Sequence, residues 1–423
     1  EVPRLLDEWQ LEPSLWNRVR REIDVRQAKG QFILTGSSVP AEDAQRHSGA
    51  HRISRIRMRP MTLAEQGRGT GAVSLASLFK GEELPVSLDG TVSVPDALQA
   101  LAHGGWPGDL EATTAQAQRH LRDYAEDIAS RDLLRLDGES RRDPDRMRIL
   151  LRSLARNLAT EVKYATIAQD MSAAMPVKAE TVAAYIGALQ RLFVVETQPA
   201  WAPHLRSRAA IRTTAKLHFA DPALAVAVMR ASPDRLVDDL ETAGLWFESQ
   251  VVQHARVYAE ALDGRVYHYR DSNGQEVDLI IQLDDGRWAA IEIKLGQRQL
   301  PKAQASLASF RSVVDLERVG EPSFMAVVTA LVTWDTKLGA FISLILLLLQ
   351  LASSAGTYPL PLTDKIFQDV NPWMPMSYSV SALRQTISIT GQVGGQVAFM
   401  TVVLLLFVGL GFLVYNPNKK ELV

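Results

Sequence analysis

The chain has 423 residues, no cysteine and a formal net charge of -2. The lack of thiols excludes disulfides, thiolate zinc sites and cysteine nucleophiles. The near-neutral charge excludes a broad basic face for nucleic acid and leaves only local patches. Charge is uneven along the chain. Residues 331–423 hold only five of the 46 Lys/Arg and four of the 48 Asp/Glu, so two different surroundings are expected on either side of a seam between Val319 and Thr333. The opening at Glu1 shows no signal-peptide pattern and reads as the inside of a domain.

In residues 1–110, Val2–Leu6 is a short apolar run closed by Asp7-Glu8, and Phe32–Leu34 is another, closed by Thr35-Gly36-Ser37-Ser38. Leu15, Trp16, Val19 and Ile23 recur between them at helical spacing. Strand, helix, strand predicts a parallel sheet, whose ligands sit at the C-terminal ends of the strands. There Asp7 would hold Mg²⁺ and Glu8 would polarise a water. A strand followed by a solvated turn is the plainer alternative.

The segments RLLDEWQLEPSLWNRVRREID, GQFILTGSS and HSGAHRISRIRMRPMTLAE, in that order, resemble a bacterial family of AAA-type ATP-binding proteins over about residues 1–330. The resemblance implies a Walker B strand with Asp7 and Glu8 for metal and water, and a sensor strand with Ser37 or Ser38 facing the γ-phosphate of ATP. It also implies Arg52, Arg55 and Arg57 as phosphate or inter-subunit contacts, and a homo-oligomer. In that family the P-loop GxxxxGK[ST] precedes Walker B, and no Gly-Lys dipeptide occurs here. ATP binding is therefore expected only with a P-loop supplied, and the half-sheet is expected to leave a raw edge. His47 and His51, with no HExxH pattern, read as solvated imidazoles rather than a metal pair.

In residues 111–235, Ala115–Leu134 is amphipathic and Asp132–Asp145 reads as a charged loop. Helices are predicted at Met147–Leu158, Tyr164–Met171 and Ala179–Leu192, then an apolar strand at Phe193–Thr197. This is the winged helix-turn-helix layout, and the AAA-type resemblance implies such a module. Its recognition helix offers only Lys178 and Arg191 as cations, so a protein-contact role stands level with DNA readout. His204, Arg206, Arg208, Arg212 and Lys216 form a better basic stretch that could track phosphates, with a solvated loop as the plainer alternative.

Residues 236–330 carry the strongest chemical pattern. A helix is predicted at Leu245–Tyr258 with Glu248 in it, and strands at Val266–Tyr269, Glu276–Gln282 and Trp288–Leu295. Asp284-Asp285-Gly286 turns the last hairpin. Alternation puts Glu292 and Lys294 on one face, and the hairpin sets Asp278 opposite them. Asp278 and Glu292 would hold Mg²⁺ or Mn²⁺, while Lys294 positions or deprotonates the attacking water. Asp278, Glu292, Lys294 and the helical Glu248 together resemble the PD-(D/E)xK nuclease superfamily; a solvated sheet edge with incidental charges is the competing reading. Phe324–Val332 is either that sheet's last strand or the tail of a membrane helix.

Residues 331–423 hold two uncharged, apolar segments, 338–357 and 397–415, each long enough for a membrane-spanning helix. LLLQLASSAGTYPLPL and FQDVNPWMPMSYSVSALR resemble the C-terminal part of the YhgE/Pip family, phage infection proteins with an ABC-2-type permease architecture. Lys337, Lys419 and Lys420 flank the segments and predict cytoplasmic termini.

The expected fold class is α/β: a partial P-loop-type ATPase sheet (1–110), a winged-helix-like connector (111–235) and a PD-(D/E)xK-like domain (236–330), plus a two-helix transmembrane hairpin (331–423). The expected function is that of a truncated ATP-binding protein with a nuclease-like domain, acting on or binding DNA, joined to a segment in the bacterial inner membrane. Its lipid-bilayer contacts would be residues 338–357 and 397–415, with the N-terminal part cytoplasmic. Two alternatives stand beside it: a membrane-anchored, non-catalytic protein of the YhgE/Pip permease-like type, and an unnatural join of two unrelated fragments.

Overall fold

The chain divides into two units, residues 1–332 and 333–423. The computed structural model describes residues 3–38, 49–69, 73–82, 92–132, 143–203, 214–271, 273–330 and 401. Strands β1 (Arg4–Leu6) and β2 (Phe32–Leu34) pair in parallel, with Leu5 opposite Ile33. Helix α1 (Ser14–Arg26) lies between them in sequence and buries Trp16 and Val19. Leu5 and Ile33 remain 62% and 49% exposed, so this small sheet has an uncovered apolar face.

A run of helices follows: α2 (Leu75–Lys80), α3 (Val94–His103) and α4 (Thr114–Asp127), the last running into a π-helical turn at Ile128–Asp132. Ser93 caps α3 by accepting from the Asp96 N–H, and Thr113 with Gln116 forms a capping box on α4. Helices α5 (Pro144–Arg156), α6 (Tyr164–Ser172) and α7 (Ala179–Arg191) precede β3 (Val195–Gln198), which pairs antiparallel with β4 (Lys216–Phe219). Three helices and a two-stranded hairpin in this order have the winged-helix layout. The strand begins two residues later than the sequence suggests, because Phe193 adopts a left-handed turn (φ 57°) after α7.

Short helices α8 (Ala223–Val228) and α9 (Pro233–Asp238) lead into α10 (Leu240–Glu260). Strands β5 (Gly264–Arg270), β6 (Glu276–Leu283) and β7 (Trp288–Lys294) form an antiparallel meander. Helices α11 (Leu300–Val313) and α12 (Leu316–Val319) carry the chain to β8 (Phe324–Thr329), which pairs parallel to β7. The order helix, three strands, helix, strand leaves α10 and α11 packed on the β5-β6-β7-β8 sheet. Phe324–Thr329 is thus the last strand of this sheet, not a helix tail.

One core runs from Phe79 to Ala330 and includes Leu98, Leu150, Ile186, Phe219, Trp246 and Leu279. A smaller aromatic cluster joins Trp201, Trp288 and Phe310 beneath α11. The segments that composition separates at 110/111 and 235/236 share the main core.

Four charges tie the N-terminal segment to that core. Glu196 on β3 is buried and accepts from Arg59 Nε at 3.0 Å and from Arg256 Nη1. Arg57 Nε lies 3.3 Å from the same carboxylate and its guanidinium stacks 4.8 Å from Phe193. The arginines expected at a phosphate or subunit contact therefore have partners within the protein: Arg52 pairs with Asp24 at 2.5 Å and Arg55 lies 5.8 Å over Trp16.

The expected transmembrane hairpin is corrected. Among the described residues no helix is long and apolar enough to cross a membrane. The 21-residue α10 carries Glu241, Glu248, Arg256 and Glu260. Segments 338–357 and 397–415 lie outside the described residues apart from Thr401, and the inner-membrane location inferred from them is withdrawn.

Replacing Glu196 by Ala leaves the buried Arg59 and Arg256 without their shared carboxylate. Urea unfolding of the full chain should show a loss of ~3–5 kcal/mol. A loss below about 1 kcal/mol would show that this cluster does not hold the N-terminal segment in place.

Candidate functional site

Two polar clusters were expected, and the structure assembles both to different degrees. At the first, β1 and β2 end side by side. Asp7 accepts from Thr35 Oγ1, and Glu8 Oε2 accepts from Ser37 Oγ at 3.2 Å. Gln10 Nε2 donates to Glu8 and reaches Ser37 Oγ at 3.1 Å. Glu8 itself sits in the left-handed region (φ 51°), which turns the chain sharply at the strand end. Asp7, Glu8 and Ser37 are thus brought together; Ser38 follows on the same bend. His47 lies outside the described residues, and His51 is exposed in a left-handed turn.

The second cluster stands at one end of β6 and β7. The register Leu279↔Ile291 ends the ladder beside Asp278 and Glu292. Asp278 Oδ2 accepts from the Ile293 N–H at 2.8 Å and from Lys294 Nζ at 2.7 Å. Lys294 Nζ also lies 2.6 Å from Glu292 Oε2, and Glu292 Oε1 accepts from Ser306 Oγ of α11 at 3.0 Å. Asp278, Glu292 and Lys294 are therefore in direct contact. Glu248 is not part of that contact: it projects from α10 and pairs with Lys216 of β4 at 2.6 Å. The basic-stretch reading of Lys216 is corrected accordingly, since its side chain is only 12% exposed and paired. His204, Arg206, Arg208 and Arg212 lie outside the described residues.

The electrostatics differ from group to group. Burial disfavours the Asp278 carboxylate, but Lys294, Lys216 and the Ile293 N–H hold its pKa below the ordinary range. Burial, reinforced by Asp278, pushes Glu292 up. Burial, again with Asp278, pushes Glu248 up to about 7 despite Lys216. Burial works against the Lys294 charge, yet Asp278 and Glu292 hold the ammonium above its usual range.

A buried polar chain supports the carboxylates. The β5–β6 ladder slips between Tyr267 and Tyr269, a β-bulge that frees backbone groups. Gln198 fills the gap: its amide donates to Tyr267 O at 2.9 Å and Asp278 O at 3.0 Å. Both amide hydrogens are spent, so Gln198 Oε1 must accept from His218 Nε2, 3.0 Å away. His218 Nδ1 then accepts from Ser249 Oγ at 2.9 Å. Burial keeps this imidazole neutral by pushing its pKa well down. Gln198, His218 and Ser249 were not read from the sequence as site residues, and Lys216 was read only as part of the basic stretch. The alternation of Lys216-Leu217-His218-Phe219 was the available signal, since it places Lys216 and His218 on one face.

The donor set bears on a metal ion as follows. Among the described residues no three His, Asp or Glu side chains gather to hold one. Asp278 and Glu292 both reach the Lys294 nitrogen, at 2.7 and 2.6 Å, so their oxygens converge on one point that the ammonium occupies. Mg²⁺ is commonly bound by one or two carboxylates with water and substrate phosphate completing its shell. Two carboxylates match the ligand number of that mode and fall short of an all-protein cage.

The raised Glu248 pKa has a definite sign. Its stabilising contribution is full below the ordinary value of 4.5 and is lost as pH rises through about 7. Half-buried His254 and buried His268, pushed to about 4 by desolvation, act in the opposite direction. A difference measurement isolates the carboxyl: the stability of Glu248→Gln relative to the unsubstituted chain should rise between pH 4.5 and about 7 and be flat outside. A flat difference throughout would show that Glu248 titrates normally.

Comparison with known proteins covers parts of the chain. Residues 95–235 match the model of Domain of unknown function (DUF8612), and residues 243–331 match that of Domain of unknown function (DUF4143). The second is a domain often found in AAA-like ATPase proteins. The Uncharacterized protein YhgE of Bacillus subtilis (strain 168) is 39% identical over 66 residues, which is 16% of this chain and 8% of that protein. No solved structure matches. The chain is thus similar to one family of unknown function through α3 to α9 and to another through α10 to β8.

Proposed function

We propose that the cluster at the end of β6 and β7 is a divalent-metal phosphodiester-cleaving site acting on DNA. The observation that carries this reading is the contact of Asp278, Glu292 and Lys294 around one nitrogen, on a helix, three strands, helix, strand framework. Asp278 and Glu292 would hold Mg²⁺ or Mn²⁺, which supplies Lewis-acid polarisation of the phosphate and of a bound water when present. Lys294, fixed as an ammonium, orients the water and offsets the charge that develops on the phosphate. In hydrolysis the water oxygen bonds to phosphorus, one P–O ester bond breaks and the leaving oxygen takes a proton. Glu248, titrating near 7, has the affinity suited to accept the water's proton.

At the N-terminal cluster, Asp7 and Glu8, with Ser37 and Ser38 beside them, are read as the metal and water side of a nucleotide site. The support is their position at the C-terminal ends of two parallel strands. The phosphate cradle such a site needs for ATP is not among these residues.

A second reading has its own support. Two lysines already satisfy three carboxylates at 2.6–2.7 Å, which is what a purely structural charge network requires. Cleavage of plasmid DNA by the full chain in Mn²⁺ separates the two. Asp278→Asn and Lys294→Met should each lower the rate on the order of 10²-fold or more, with circular dichroism unchanged. Cleavage that persists in both variants, or none in the unsubstituted chain, overturns the catalytic reading.

A further inference from the structure

Helix α10 packs on the sheet, and one row of its side chains is polar. Gln250, His254 and Tyr258 follow one another at i, i+4 and i+8, so they lie in line along the helix over roughly 12 Å. The row lines a cavity of about 340 Å³ between α3, α10 and the sheet. Leu279, Ile281 and Ile291 make the sheet's side of it, which is apolar. The cavity is separate from the carboxylate cluster. Leu279 and Ile291 pair on the face toward α10, whereas Glu292, one residue on, turns to Ser306 of α11. Two glutamines of α10 are equally buried and differently satisfied. Gln253 is 5% exposed and donates to Pro60 O at 3.0 Å. Gln250 is 6% exposed, lines the cavity and makes no hydrogen bond among the described residues. A buried amide is costly unless something completes its hydrogen bonds. Desolvation keeps the His254 ring neutral by pushing its pKa down to about 4. No Asp, Glu, Lys or Arg stands among the described lining residues, so a charged ligand would enter without a counter-charge. Size and lining match small-molecule pockets, which run from about 300 to 1,000 Å³ and are mostly apolar with a few convergent polar groups.

We propose that this cavity binds an uncharged amphipathic small molecule, with its apolar body against Leu279, Ile281 and Ile291 and its hydrogen-bonding edge along Gln250, His254 and Tyr258. The site does not depend on the phosphodiester reading, since it lies on the other face of the sheet.

Titration of the full chain at pH 7 with N-phenyl-1-naphthylamine, an uncharged dye whose emission rises in apolar surroundings, tests this. One saturable site is expected. Val251 and Ala97 also line the cavity, so Val251→Trp and Ala97→Phe each place a ring in it. Each should weaken that site about tenfold or more, with circular dichroism unchanged. If one of them fails to fold, the other decides. The 8-sulfonate of the same dye should bind about tenfold more weakly or worse. 2-Naphthamide, which carries a hydrogen-bonding edge, should displace the dye. The pair Gln250→Leu/His254→Leu should raise its Kd about tenfold while leaving the Kd of the dye within about twofold. Dye binding that is absent, or that the ring variants leave unchanged, overturns the site. A sulfonate that binds as well as the uncharged dye overturns the choice of an uncharged ligand. A 2-naphthamide Kd indifferent to the leucine pair overturns the role of the polar row.

Discussion

Strand β3 turns two polar side chains inward, and the arrangement of the first unit depends on how they are satisfied. Glu196 draws Arg59 and Arg256 into the interior, and Gln198 closes the bulge between β5 and β6. Both side chains are buried, so neither can fall back on water. A strand with this face can dock in only one register: a shift by one residue would bury Thr197 and expose both partners. Specificity of docking is what such buried polar contacts contribute here, beyond the apolar burial of the surrounding core.

That docking also holds the carboxylate cluster. Gln198 fixes the Asp278 backbone while Lys294 fixes its carboxylate, so the residue is held from both ends. Three carboxylates and two ammoniums share a small volume, and their environments push the carboxyl affinities apart: Asp278 down, Glu248 and Glu292 up. Groups separated in this way are suited to distinct acid, base and ligand roles. The ammonium of the ExK lysine is favoured by its two carboxylate neighbours against the cost of burial.

Much of the local structure was legible in the chain. The 3.6-residue periodicity of the helices and the apolar alternation of EVDLIIQ and WAAIEIKL gave elements within a few residues of those observed. The D…ExK spacing placed Asp278, Glu292 and Lys294 together because one hairpin joins them and its turn sets the register. Glu248 was less accurately read: its helix packs on the sheet, but its carboxylate meets Lys216 instead of the trio. The arginines at 52, 55 and 57 looked free for phosphate in the sequence, yet they have protein partners supplied by distant residues. The membrane hairpin rested on hydropathy, flanking lysines and a family resemblance, and among the described residues no helix is long and apolar enough to cross a membrane.

The sequence by itself determined which residues form helices and strands and which neighbours along a hairpin share a face, because those depend on periods of a few residues. Only the tertiary structure decided that β3 and β4 lie against the β5–β6 bulge and that Lys216 joins the carboxylates. The contacts responsible, Gln198 with Asp278 and Lys216 with Glu248, link positions 80 and 32 residues apart. No local pattern encodes such pairs; they form because buried donors and acceptors must find one another when the core closes.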